Sequence, residues 1–288
     1  MKQLRLLTAL AAIFTLLLSL QATAATFTFT AIPDEDESRL VERFNRVAAY
    51  LEFELGVPVK YIPVKSYAAA ITAFRNNQVQ LAWFGGLSGV QARLAVPNSQ
   101  AIAQGYEDQF FKTYFIAHKN ANVEPSTEFP KAIAGKTFTF GSKGSTSGRL
   151  MPEFYIRENL KQSPQEAFER VGFSGDHSAT IAQVQSGAYQ VGAVNYLVWE
   201  TELAAGKVDP SKVKVIWETP NYPDYQWTLR GDADQVYGKG FTKKLRNALL
   251  NMKDKSLLKA FPRKSFVAAK NDDYKAIEDT ARAIDLLQ

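Results

Sequence analysis

The sequence predicts an α/β protein of two lobes, joined by two chain crossovers, with a cleft between them. Three observations point to this. Short apolar segments alternate with helix-period stripes in two blocks, from Thr26 to Leu94 and again from Thr137 to Ala205. Two strand-like runs, 101–104 and 111–117, lead out of the first block. After Pro220-Asn221-Tyr222-Pro223-Asp224 the chain turns helix-rich, as though it returns to where it began. Alternation of this kind builds a mostly parallel sheet with helices on both faces. Ligand sites in such sheets lie beyond the carboxyl ends of the strands, which makes the interlobe cleft the default site.

Each element has a local reason. Thr26 to Ile32 alternates as a strand should. Leu40, Phe44, Val47, Ala48, Leu51 and Leu55 then share one helix face, and Gly56 and Pro58 stop that helix. Val57 to Val64 reads as a strand, and Ser66 caps a short helix through Phe74. Val79 to Phe84 is an apolar strand ended by Gly85-Gly86, with Leu87, Val90 and Leu94 striping the next helix. The second block runs strand 137–140, helix 149–159, strand 170–173, helix 178–185, strand 189–194, helix 197–205 and strand 213–217. The tail reads as helices over 235–251, 255–260 and 272–287, with Lys243, Lys244, Arg246 and Arg263 on solvated faces. Residues 25–117 and 226–288 are therefore expected in the first lobe, and 118–225 in the second.

The first 24 residues are expected outside the fold. Lys2 and Arg5 precede an apolar run from Leu6 to Leu20, and Ala22-Thr23-Ala24 fits a small-residue cleavage site. That run is short for a membrane span, which needs about 20 residues. The expectation is an exported, soluble chain. Its formal charge of +5 falls to +3 once Lys2 and Arg5 leave, too mild to imply nucleic acid. With no cysteine and only His118 and His177, thiolate and His-rich metal centres are excluded.

The most informative stretch is Gly141-Ser142-Lys143-Gly144-Ser145-Thr146-Ser147-Gly148, between a strand and a helix. Ser145, Thr146 and Ser147 gather three hydroxyls where unpaired N–H groups and the positive end of a helix dipole converge, which suits an oxyanion. The ordinary reading is a solvated helix cap, but a cap needs one such residue rather than three. A phosphate-binding P-loop requires G-x-x-x-x-G-K-[ST], and Pro130 stands where its first glycine belongs ahead of Gly135-Lys136-Thr137. A nucleophile elbow requires serine at the centre of G-x-S-x-G, where Thr146 stands. His177 opens another helix and either donates to an oxyanion or serves structure. Asp224 is a turn residue or an acceptor for a ligand P–OH, which would select a protonated anion. Tyr67, Trp83, Phe111 and Tyr196 are core aromatics or close over a ligand.

These markers together resemble the periplasmic solute-binding proteins of phosphonate and phosphite ABC transporters. The resemblance spans essentially the whole chain after the leader. It rests on Ser66-Tyr67-Ala68, Leu81 to Ser88, Ser145-Thr146-Ser147-Gly148 with Pro152, Gly175-Asp176-His177, and Lys214 to Trp217 leading to Pro223-Asp224. It implies a type II two-lobed protein that closes on its ligand and delivers it to a permease. Ser145, Thr146 and Ser147 would hold phosphorus oxygens, Tyr67 and His177 would donate, and Asp224 would accept. Members that bind aminoalkylphosphonates carry a further acid after the last strand of the second lobe. Here the segment reads Val194-Asn195-Tyr196-Leu197, with no acid until Glu200, so apolar side chains are expected there. Phe111 stands where the resemblance expects a tyrosine.

Both departures favour a small ligand with an apolar face, phosphite ahead of methylphosphonate or hypophosphite, with Trp83, Phe111 or Tyr196 as its wall. The resulting expectation is a periplasmic, monomeric, non-catalytic protein without cofactor or metal. Its partners would be a small oxyanion and a permease, not nucleic acid. The competing readings are an exported phosphoester hydrolase, or a binding protein for another oxyanion such as phosphate or a sulfonate.

Overall fold

The computed structural model describes residues 25–287; the expected leader, 1–24, lies outside them. The first block forms β1 (Phe27–Ala31), α1 (Glu37–Leu55), β2 (Val59–Tyr61), α2 (Tyr67–Arg75), β3 (Leu81–Phe84), α3 (Gly86–Ala95) and β4 (Gln100–Gly105). The second forms β5 (Thr113–His118), β6 (Thr137–Phe140), α4 (Met151–Leu160), α5 (Pro164–Ala167), β7 (Arg170–Phe173), α6 (His177–Gln185), β8 (Val191–Asn195), α7 (Tyr196–Ala204) and β9 (Val213–Glu218). The returning chain adds β10 (Gln226–Leu229), α8 (Ala233–Tyr237), α9 (Phe241–Leu250), α10 (Lys255–Ala260), β11 (Phe266–Ala268) and α11 (Lys275–Ala283).

Two sheets carry the two lobes, one ordered β11-β4-β10-β3-β1-β2 and the other β7-β6-β8-β5-β9. In the first, β1 pairs parallel with β2 and β3, but β10 runs antiparallel between β3 and β4. The first sheet is thus mixed rather than mostly parallel, because β10 re-enters from the opposite lobe. β5 pairs with β8 and β9 in the second sheet. Residues 113–117, expected in the first lobe, belong to the second sheet, and the outward crossover ends before Thr113. Among the described residues, no helix is long and apolar enough to cross a membrane.

Local chemistry explains the elements that position the site. In α1 the buried face comprises the six expected residues, Leu40 through Leu55. Asp36 caps its start by accepting from Arg39 N, and Gly56 ends it at φ 70°, a conformation open to glycine. In α3, Leu87 and Val90 are buried, but Leu94 is exposed, so that stripe is shorter than expected. The helix expected over 235–251 breaks into α8 and α9, because Gly238 and Gly240 adopt φ of 99° and 91°.

The crossovers lie against each other and form the hinge. Phe111 and Tyr222 exchange two main-chain hydrogen bonds of 2.9 Å, and Asp224 N donates to Asp108 O at 2.9 Å. Behind this pair Arg263 is buried rather than solvated. It donates to Asp108 through Nε at 3.0 Å and Nη2 at 2.6 Å, and its guanidinium lies 5.1 Å from the Tyr225 ring centroid. Gly105 N also donates to Asp108, so the carboxylate is fully engaged. Breaking such a pair strands a buried charge at a cost of about 3–5 kcal/mol. Arg263→Met is expected to lower unfolding stability by roughly that amount, measured by chemical denaturation; a loss below 1 kcal/mol would show the pair to be idle.

Candidate functional site

The hydroxyl turn follows the C-terminal end of β6 and opens a single π-type turn over Thr146–Leu150. Leu150 N donates to Ser145 O and Met151 N to Thr146 O, each across five residues. Such wide turns recur at functional sites. Ser145 Oγ accepts from Gly148 N at 2.9 Å and so caps the turn. Gly148 is required by space: a Cβ there would meet His177 Cε1 at 3.0 Å and Ser145 Oγ at 3.1 Å.

The structure brings together all six residues expected at the site, and each is 2% exposed or less. Thr146 Oγ1 accepts from Leu87 N at 3.0 Å, across the lobe interface. Beside it, Gly86 N donates to Asp224 Oδ1 at 2.7 Å. The N-terminus of α3 therefore grips one group from the second lobe and one from the hinge. A Cβ on Gly85 would lie 3.0 Å from Asp224 Oδ1 and 3.3 Å from Thr146 Oγ1, which explains the glycine pair after β3. Tyr67 opens α2 behind the Ser66 cap, and a Cβ on Gly144 would lie 3.1 Å from Tyr67 Cβ.

His177 opens α6, capped by Asp176, which accepts from Ala179 N at 2.7 Å. Its Nδ1 accepts from Asn195 N at 3.3 Å, which puts the ring proton on Nε2, 3.4 Å from Ser147 Oγ. Burial pushes the imidazole down to about 3, so it is a neutral donor at ordinary pH. Burial pushes Asp224 up to about 7, against the opposing Gly86 N–H bond. The Tyr67 phenol is raised well above its usual range by burial, then by the charge of Asp34. Tyr67 Oη and Asp224 Oδ2 are buried without a hydrogen-bond partner. Leaving such atoms unpaired costs about 1–3 kcal/mol each. Closed lobes therefore favour a ligand that can bond to both atoms.

The aromatic residues form one contiguous cluster. Trp83 stacks on Tyr225 at 5.6 Å, Tyr225 packs against Phe111 at 5.3 Å, and Phe111 meets Tyr196 edge-on at 5.0 Å. Tyr225, which links the cluster, was missed by sequence reasoning, although it adjoins Asp224. Asp34 and Asn195 were missed as well. Asn195 Nδ2 donates to Tyr225 Oη at 3.0 Å, and Tyr225 Oη donates to Asp34 Oδ2 at 2.7 Å. The segment after β8 is thus not wholly apolar. It presents a buried, uncharged amide, whose Oδ1 also caps α7 through Leu197 N at 2.7 Å. An asparagine directly before an apolar helix was the available signal. Glu200 is exposed and bonded to Tyr114. Among the described residues no cluster of histidines and carboxylates is arranged to hold a metal ion.

A second interlobe bond lies at the rim. Arg39 of α1 donates to Glu202 of α7 at 2.8 Å, and Ser178 of α6 donates to the same carboxylate oxygen at 2.6 Å.

Two α/β lobes closed over helix N-termini, with an oxyanion-directed cup between them, define a periplasmic-type substrate-binding protein. The chain belongs to the family described as the periplasmic substrate-binding protein of phosphonate ABC transporters, which it matches over residues 29–274. A probable ABC transporter phosphite-binding protein of Prochlorococcus marinus is 42% identical over 265 residues, 90% of this chain and 89% of that protein. The structure of that organism's protein in complex with methylphosphonate superposes with a TM-score of 0.86 at 42% identity, covering 91% of this chain and 99% of the other. The Escherichia coli phosphonates-binding periplasmic protein is 26% identical over 200 residues, 68% of this chain and 58% of that protein.

Arg39 is partly exposed, so its bond to Glu202 is a modest clasp rather than a buried ion pair. Arg39→Met is expected to weaken binding by up to about tenfold, near 1.4 kcal/mol, and by the same factor for every ligand, because it acts on closure alone. Calorimetry with two ligands checks this; a change in their affinity ratio would contradict it.

Proposed function

We propose that this protein is the exported solute-binding component of an ABC importer, carrying phosphite or a small phosphonate from the periplasm to a permease. Phosphite is favoured, with methylphosphonate and hypophosphite as the alternatives. The observation that carries the reading is the single buried cup of Tyr67, Ser145, Thr146, Ser147, His177 and Asp224, in which Tyr67 Oη and Asp224 Oδ2 lack protein partners. The 42% identical relative, described as a probable phosphite-binding protein, supports the same ligand class.

In this reading the three hydroxyls, the N–H groups of their turn, His177 Nε2–H and Tyr67 Oη–H donate to phosphorus oxygens. Asp224 Oδ2 accepts from a ligand P–OH. The wall of Trp83, Phe111 and Tyr196, joined by Tyr225, faces the remaining substituent: hydrogen in phosphite, methyl in methylphosphonate. A fourth oxygen, as in phosphate, would meet that wall unpaired at about 1–3 kcal/mol, a preference of roughly ten- to hundredfold. The lobes divide at the crossovers, near 106–112 and 219–225. The protein acts as a monomer and turns nothing over: His177 is a poor base for Ser147, since burial pushes it down to about 3 and the nitrogen facing Ser147 carries the ring proton.

Calorimetric competition among phosphite, methylphosphonate, hypophosphite, phosphate and an aminoalkylphosphonate tests the assignment. Phosphate belongs in the panel because a phosphate-import protein of Mycolicibacterium smegmatis is 27% identical over 204 residues. One equivalent of phosphite is expected to bind at least tenfold more tightly than phosphate; equal affinities would sink the reading. Incubation with a phosphoester should yield no product.

Asp224 gives a pH dependence whose sign follows from its raised position near 7. The complex shares one proton between carboxyl and ligand, so affinity is retained near pH 7, where free Asp224 still carries that proton in part. It falls as pH rises above that value, by up to roughly tenfold per unit for one proton. Asp224→Asn should flatten this fall. An unchanged profile would remove Asp224 from contact with the ligand.

A further inference from the structure

A second buried acid borders the cup. Asp34 follows β1, and its main-chain oxygen accepts from His177 N at 2.9 Å, which ties it across the lobe interface to a cup residue. Its Oδ2 accepts from Tyr225 Oη at 2.7 Å, while its Oδ1 is buried with no partner. Among charges, Asp34 acts most strongly on the Tyr67 phenol, ahead of Asp224. The carboxyl therefore stands among Tyr67, Tyr225 and His177. It also lines a neighbouring cleft of about 290 Å³ together with Trp83, Tyr225 and the arginines Arg39, Arg43, Arg46 and Arg263.

We propose that Asp34 is a second ligand-sensing carboxyl, which takes up a proton as a phosphorus oxyanion enters and then donates from Oδ1 into the cup. The inference deepens the reading under Proposed function and rests on it. The physical reason is charge. None of the six residues assigned to the cup is a lysine or arginine, and Arg263 is already paired with Asp108, so an anion entering the cup faces the carboxyls of Asp224 and of neighbouring Asp34. Repulsion of this kind is relieved by protonation. The balance is simple: one proton moves from bulk water, through the cleft, onto Oδ1, and no other bond changes.

The surroundings of Asp34 permit this. Glu35 on its own loop opposes its ionisation, while Arg43 of α1, the Tyr225 hydroxyl and Arg263 favour it. Tyr61 of β2 and Tyr67 of α2 face it as neutral phenols. His177 of α6 is neutral. Burial leads these effects and leaves Asp34 at about 6. Above that pH the carboxyl is mostly ionised before binding, and a bound anion raises it. Uptake approaches one proton where the pH lies between the free and the bound value.

The test is calorimetry of the mature chain with sodium phosphite, and in parallel methylphosphonate, at pH 7.5 in buffers of differing ionisation enthalpy. Wild type should take up protons on binding. Asp34→Asn, which keeps an acceptor for Tyr225, should still bind phosphite, with uptake reduced by close to one proton; Asp224→Asn should retain the share due to Asp34. Binding with an unchanged proton count in Asp34→Asn overturns the role of Asp34 and leaves the ligand assignment standing. Absence of binding of either ligand to wild type overturns the ligand assignment and this proposal with it. Should Asp34→Asn fail to fold or bind, infrared difference spectra of wild type with and without phosphite decide. A carboxylate band lost and a protonated carboxyl band gained on binding, both retained in Asp224→Asn, support the proposal, and their absence overturns it.

Discussion

In the proposed reading, the site depends on holding an anion in a dry cup none of whose six assigned residues is a cation. Such a cup must replace the lost water with fixed dipoles, and one peptide turn supplies too few. In that reading the supply comes from three places: the π-type turn at Thr146–Leu150 with its Ser145 cap, the neutral His177 ring, and the Tyr67 phenol on the opposite lobe. Burial keeps each of these a donor. It lowers His177 to about 3, which removes a competing charge, and it raises Tyr67 well above its usual range, which keeps the hydroxyl proton in place.

The same burial is costly for acids, and the hinge is built around that cost. Asp224 is held by Gly86 N–H through its side chain and by Asp108 O through its main chain. Asp108 is in turn neutralised by Arg263, packed behind Tyr225. The positive charge nearest the hinge is thus spent on Asp108 and reaches Asp224 only as a weaker, opposing influence. A cation placed against Asp224 would pair with the carboxylate and weaken its hold on a ligand P–OH proton. Keeping Arg263 one layer back preserves that chemistry while fixing the geometry.

Much of this was legible in the sequence, for local reasons. The α1 face could be read because helix periodicity is a local property, and all six expected residues are buried. The hydroxyl turn could be read because its chemistry lies within eight consecutive residues. What escaped depends on distant partners. Arg263 looked solvated because Asp108 is 155 residues away. Strand β10, Gln226-Trp227-Thr228-Leu229, alternates polar and apolar residues over only four positions although all four are buried, and its antiparallel place between β3 and β4 is set by the returning crossover. Asp34 became visible only when its unpaired Oδ1 was seen against Tyr225 and His177. By contrast, Gly238 and Gly240 were readable breaks within the tail helix.

Closure and recognition are the same event in this geometry. The bond from Leu87 N to Thr146 and that from His177 N to Asp34 O both cross between lobes, so opening breaks them together and scatters the cup's donors. Neither lobe alone presents a complete site. With Tyr67 and Asp224 in the proposed ligand contacts, a ligand that leaves either unpaired on closure forfeits about 1–3 kcal/mol. Tight binding to one face does not shift the equilibrium, because only differential affinity for the closed form does so. In the proposed reading, a transporter that senses the closed form reads, in the position of the lobes, whether the bound ion has matched hydroxyl turn, phenol, carboxyl and aromatic cluster together.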